Sequence, residues 1–273
     1  MKSALSISAA WDQTKARFAA DGGLLMTVAL ALIALPSALA EFVFPSRGMM
    51  NEASMGELVA LLIVFVLGMI GQLALIRLAL GPSVSVGEAI AHGARRAPAF
   101  LGAALILLLL LFLIAIPFGI VLTAMGVTME GGAPQPTGAA TLVLLLFFVL
   151  IIFFSTRLMV MSAVASMEGT GPIAMMRRSW TLTAGHFGRL IGFLLLFLIA
   201  ALIAIMAVGM LVRVLVTAVV GTPETHSAGA LIIALVVSLA TAAVTAVFVV
   251  MIARIYAQLA GRDAAVSVPS SGT

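Results

Sequence analysis

Residues 171–211 read GPIAMMRRSWTLTAGHFGRLIGFLLLFLIAALIAIMAVGML, and they decide the fold. A short basic amphipathic segment leads straight into an apolar run that continues to about Val220. That run is long enough to cross a bilayer, whose hydrocarbon core takes about 20 apolar helical residues. The unit recurs upstream. Three blocks each read amphipathic helix, spanning helix, loop, spanning helix, with starts that anchor at Ala10, Ala89 and Ala174. The third block needs about one extra helical turn between its arginines and its membrane run. Such repeats imply three similar helical units packed side by side.

Composition agrees. Hydrophobic residues make up 63% of the 273, charged residues 9%, and the mean hydropathy is +1.29. A soluble domain carries about a quarter charged residues, so the apolar excess has to face lipid or the inside of a bundle. The sequence has no cysteine, which removes disulfides, iron–sulfur clusters and thiol catalysis. The net charge of +4 is a small excess scattered beside apolar runs, which points to a membrane and not to nucleic acid.

Along the chain, residues 3–20 place Ile7, Ala10, Trp11 and Phe18 on one helical face, as in a helix lying in the membrane interface. The first apolar run, 23–40, ends in Ala38-Leu39-Ala40, which looks like a signal-peptidase site. Its match to the later repeats keeps it as a membrane helix. The second run, Leu58 to Gly81, offers Gly68 and Gly71 for a close helix contact. In the next amphipathic segment Val86, Ala89, Ile90 and Gly93 share one face, and Glu88, His92, Arg95 and Arg96 the other. The third run, Leu101 to Val127, holds Pro117, placed as Pro36 is in the first, and both predict kinks. Residues 128–138 form a turn by composition. The fourth run, 139–166, is interrupted at Ser155, Thr156 and Arg157, and the sixth covers 230–260. The domain reading is a single membrane domain, 1–262, with repeats at about 3–81, 82–169 and 170–262, and a disordered polar tail, 263–273.

Six spans with a cytoplasmic amino terminus put twelve basic residues on the inner side and only Arg47 and Arg213 outside, while the acids divide evenly. Lysine and arginine bias sets orientation, so both termini are expected in the cytoplasm, with the protein in a bacterial inner membrane.

Candidate chemistry is sparse. His92, His186 and His226 have no metal partner at ligand spacing, and no phosphate loop, serine elbow or HExxH motif is present. The chain is therefore expected to need no cofactor or metal and to have no catalytic residues. The arginines are the more telling group. Arg77, Arg157 and Arg254 come late in the second helix of each repeat, and Arg95, Arg96, Arg177 and Arg178 lie in the amphipathic segments. They read either as snorkelling end-anchors or as contacts of an inner-leaflet pocket for anionic lipid phosphate. Trp11 and Trp180 are the expected interfacial anchors.

The segment with Ala174, Arg177, Arg178, Ser179, Trp180, Leu182 and Thr183, followed by Phe187, Leu190 and Gly192, resembles the membrane domain of glycerophosphoryl diester phosphodiesterases. It is also similar to related stand-alone bacterial six-span proteins of unknown role. In the fused members hydrolysis belongs to a separate soluble barrel, and nothing in this sequence could encode one, so the resemblance implies a membrane domain without that activity.

The fold expected is all-α: six transmembrane helices in three pseudo-repeats, each preceded by a short amphipathic interfacial helix. Two function classes follow. The first is a non-catalytic, lipid-associated protein of membrane or envelope homeostasis, or a scaffold for a partner enzyme, with anionic lipids, a membrane-protein partner or a second copy as its partners. The alternative is a transporter or permease component for a lipid-like or small apolar solute. A continuous polar cavity through the midplane would favour transport, and a packed interior with lipid-filled side grooves the first class.

Overall fold

A computed structural model describes residues 5–44, 54–81, 84–130, 133–135 and 138–261; Arg47, Arg262 and the expected polar tail lie outside the described residues. Among the described residues, six helical units are long and apolar enough to cross a membrane. The chain is an all-α polytopic membrane bundle. The first span comprises α1 (Ile7–Ala29), a π-helical turn (Leu30–Ala34) and α2 (Leu35–Val43). The second is α3 (Met55–Leu80) and the third α4 (Val86–Ala124). A small antiparallel hairpin, β1 (Thr128–Glu130) with β2 (Ala133–Gln135), stands where composition predicted a turn. The fourth span is α5 (Ala139–Leu158) with α6 (Met161–Glu168). After the short α7 (Pro172–Thr183) come the fifth and sixth spans, α8 (Phe187–Val220) and α9 (Ala228–Leu259).

Local chemistry sets the helix starts. Ser6, Ser54, Ser85 and Ser227 each cap a helix by accepting from the backbone N–H three residues on, and Ser85 with Glu88 completes a capping box. The amphipathic segments take two forms. In the first two repeats they are the opening turns of the spanning helix. α1 passes one non-helical residue, Asp21, and α4 continues through Pro98. In the third repeat α7 ends at Thr183, Gly185 adopts φ +85°, and α8 begins at Phe187. That break takes up the extra length the repeat spacing requires. The two prolines behave differently as well. Pro36 follows the π-helical turn, where the wider coil accommodates the missing N–H. Pro117 lies inside α4, which stays one helix.

Packing is uneven along the membrane normal. The start of α1 and the end of α9 lie at one end, where the Ser6 N–H donates to Gln258 Oε1 at 2.9 Å. Leu73, Leu75 and Ile76 of α3, Ala89 and Ala103 of α4, and Ile252, Ile255 and Tyr256 of α9 are fully buried in one core at that end. Toward the far end the helices splay: of the most apolar 18-residue stretch, 33% is buried in α3 but 0% in α4. Leu108, Phe112, Met210 and Val214 stand exposed there, as lipid-facing side chains do, since hydrocarbon solvates them as well as a protein core would.

α3 and α4 pack closely. A Cβ built on Gly93 would sit 2.5 Å from the Ile70 carbonyl oxygen, and Ala89 and Ala97 flank it on the same helical face. Gly71 makes the approach the sequence predicted, against Leu32 and Ile33 of the π-helical turn, but Gly68 faces open space. Gly68 is therefore no helix-contact position, although one turn from Gly71 it lies on nearly the same side of α3.

Candidate functional site

α7 is held in place by hydroxyls. The fourth span breaks at Met159 and Val160, which frees the carbonyl of Arg157 from its helical partner. Ser179 Oγ and Thr183 Oγ1, one turn apart on α7, donate to that oxygen at 3.0 and 3.2 Å. Met175, Ser179, Leu182 and Thr183 form the buried face of α7. Its other face carries Arg177, Trp180 and Thr181 into a groove between α4 and α5.

This groove has a volume of about 460 Å³. Leu107, Leu111 and Ile114 form one wall, Ile151, Phe154 and Leu158 the other, and among the described residues the only charged lining residue is Arg177, at the α7 end. Trp180 closes the same end. Its ring is fixed by Phe153 and Phe154, at 5.7 and 6.1 Å between centroids, and by the Arg157 guanidinium 5.2 Å away. An apolar slot with a guanidinium and an indole at one end can take an apolar chain along its length and an anionic group at the cation.

The seven sequence-selected arginines do not converge on one pocket. Arg177 lines the groove. Arg157 stands behind it, within 5.7 Å of the Phe153, Trp180 and Phe187 ring centroids, so it orients the tryptophan wall. Arg178 is engaged by Glu168, Nε to Oε1 at 3.1 Å, and the same oxygen accepts from the Tyr256 hydroxyl at 2.9 Å. Arg96 packs over Gly169, whose φ of +64° ends α6 in a left-handed cap. His92 joins the same helix end: Nε2 lies 2.9 Å from the Ser166 carbonyl oxygen, which can only accept, so Nε2 carries the proton. Arg96 and Arg178 thus gather at the carboxyl end of α6, where the helix dipole favours cations, with His92 beside them. Arg77 curls back over Gly81 at the end of α3, Arg95 is exposed, and Arg254 is partly buried on α9. Trp11 is 45% exposed on α1, as an anchor would be.

A second cavity, about 870 Å³, opens at the far end between α2, α8, α9 and the loop 221–227. On α9 its lining reaches down to Thr241, about 20 Å from Ala228 at ~1.5 Å per residue. That passes the middle of a ~30 Å hydrocarbon core. Residues 249–253, farther along α9, are buried in the core.

Residues 14–259 match the family described as "Domain of unknown function (DUF7847)". The chain belongs to this family. The match runs from Thr14 in α1 to Leu259, the last residue of α9, so the DUF7847 unit includes all six spans, the α4–α5–α7 groove and the far-end cavity. No curated protein and no solved structure matches the chain. Among the described residues no group of three His, Asp or Glu side chains could hold a metal ion.

Sequence reasoning missed Phe153, Phe154, Thr181 and Tyr256. The first two sit within an unbroken apolar run, where nothing separates a groove wall from a lipid-facing residue. The Ser179–Thr183 spacing was a legible signal, since two hydroxyls four residues apart share a helix face.

Proposed function

We propose that this protein is a non-catalytic, lipid-associated membrane protein that holds an anionic phospholipid of the cytoplasmic leaflet in the α4–α5–α7 groove. One observation carries the reading: a single cation, Arg177, at the headgroup end of an apolar slot of about 460 Å³, beside Trp180. Guanidinium matches phosphate geometry bidentately, and an anionic leaflet favours each nearby basic residue by about 1 kcal/mol. The groove residues offer binding chemistry, with no nucleophile–base pair among them. The resemblance to the phosphodiesterase membrane domain is in keeping with a headgroup-related role, including that of scaffold for a lipid-metabolising partner in a bacterial inner membrane.

The transport reading asks for a polar path through the midplane, whereas the far-end cavity gives way on α9 to the buried residues 249–253. A packed core with a side groove favours lipid association.

Native mass spectrometry of purified protein is expected to show retained phosphatidylglycerol or cardiolipin, falling at least threefold in Arg177→Ala. Arg95→Ala, an exposed arginine away from the groove, is expected to change nothing. Equal retention in wild type and Arg177→Ala would overturn the proposal.

The orientation we propose follows the basic-residue bias. A reporter fused at Thr222 is expected to read external and one at Gly261 cytoplasmic. The opposite pair of signals would place the groove in the outer leaflet.

A further inference from the structure

Arg213 lies on α8 seven residues before Val220, about 10 Å inside the far end of the span. α8 is about 50 Å long at ~1.5 Å per residue, against a ~30 Å hydrocarbon core, so Arg213 stands near the headgroup boundary at the far end. Among the described residues no hydrogen bond, ion pair or ring contact engages its guanidinium. Arg213 instead lines two adjoining spaces. One is the polar cavity of about 870 Å³; the other is an apolar groove of about 400 Å³ beside Met206, Gly209 and Met210. Ile233 and Val237 belong to both linings, so the two spaces meet at Arg213.

We propose that Arg213 binds the phosphodiester or carboxylate group of a small ligand entering from the far side, with the polar part of the ligand in the cavity. Ser37 and Thr241 donate their protons to the Ile33 and Val237 carbonyls, at 2.7 and 2.9 Å, so toward the cavity their oxygens act as acceptors for a ligand hydroxyl or ammonium group. Thr217, one turn from Arg213 on the same face of α8, lines the cavity as a second donor. Glu41 and Glu224 also line the cavity, and Glu41 has a contact of its own. Their negative charges disfavour polyanions, so a zwitterion or at most a monoanion fits. The loop is held over the rim by His226, which has φ +63°, a ring edge against Phe42 at 5.7 Å, and Nε2 3.3 Å from the Val43 carbonyl oxygen. A non-glycine residue at positive φ persists where its surroundings fix it, and here those contacts shape the cavity mouth. The volume lies within the ~300–1,000 Å³ of small-molecule sites.

The ligand chemistry could come from a lipid headgroup or from a free solute, and one pair of probes separates the two. Dihexanoylphosphatidylglycerol and glycerophosphoglycerol share a monoanionic phosphodiester and differ only in acyl chains. Each is titrated by calorimetry into full-length protein in phosphatidylcholine nanodiscs. At least one is expected to bind, with affinity falling tenfold or more in Arg213→Gln, within about threefold of wild type in Arg213→Lys, and unchanged in Arg95→Gln, an exposed position that lines neither cavity. Binding of the acylated probe alone identifies a lipid in the adjoining groove; binding of both identifies a soluble phosphodiester in the cavity. Equal binding by wild type and Arg213→Gln overturns the inference. So does loss in Arg177→Gln with none in Arg213→Gln, which would assign the probe to the α4–α5–α7 groove. Monodisperse elution of Arg213→Gln, with Arg213→Lys as the charge-retaining control, excludes misfolding as the cause of a loss.

Discussion

Gly93→Val is expected to destabilise the bundle by about 3 kcal/mol, at the upper end of the ordinary cost of overpacking. A Cβ at this position would come 2.5 Å from the Ile70 carbonyl oxygen and 3.2 Å from the Ala74 nitrogen. Both are backbone atoms of α3, so no rotamer change relieves the clash and the helices have to separate. Separation also loosens Ala89 and Ala97, which pack through the same small-residue face. Valine is favourable inside hydrocarbon, so insertion is expected to be normal and the loss confined to packing. Gly68→Val on α3 meets open space and is expected to stay within about 0.5 kcal/mol of wild type. Unfolding of purified protein by SDS titration in mixed micelles measures both, and coincident curves for Gly93→Val and wild type would refute the close contact.

Glu168→Ala is expected to cost about 2–3 kcal/mol. The carboxylate sits at the end of α6 and accepts from the fully buried Tyr256 hydroxyl at 2.9 Å. A hydrogen bond to a charged group contributes about 1.5–3 kcal/mol. The Arg178 partner is 44% exposed, so screening holds that pair to under about 1 kcal/mol. Glu168→Gln keeps an acceptor and is expected to lose about half as much. A double-mutant cycle with Tyr256→Phe isolates the contact, because coupling appears only between residues that interact. Additive single effects would show that α6 and α9 are joined by packing alone.

The two variants probe features of unequal legibility. Val86, Ala89, Ile90 and Gly93 were readable as one face of a helix, and that face does pack inward, because a period of 3.6 fixes which side chains point together. The partner of that face was not readable. Nothing in Ile70 or Ala74 marks α3, and no other span, as the surface against which Gly93 closes. Glu168 likewise read as an acid at a helix end, with no hint that Arg178, ten residues on, and Tyr256, on the sixth span, would meet it.

The arginines show the same division. Their positions beside apolar runs place them at helix ends, where charge can leave the hydrocarbon, and this much follows from composition and spacing. Their partners do not. Arg178 and Arg96 are drawn to the end of α6, Arg157 to three aromatic rings, and Arg177 alone lines the groove. A break at Met159 and Val160 creates this arrangement, by exposing a carbonyl that Ser179 and Thr183 then cover.

By itself, the sequence determined the six spans, the three-block repeat and the helical class. Hydrocarbon admits only backbone whose polar groups are satisfied within the segment, and that constraint acts on each apolar run separately. Only the tertiary structure decided which ends pack and which splay, where the groove opens and which arginine lines it. Those outcomes depend on contacts between residues far apart in the chain, and among uniformly apolar helices a residue facing lipid and one facing another helix carry the same sequence signal.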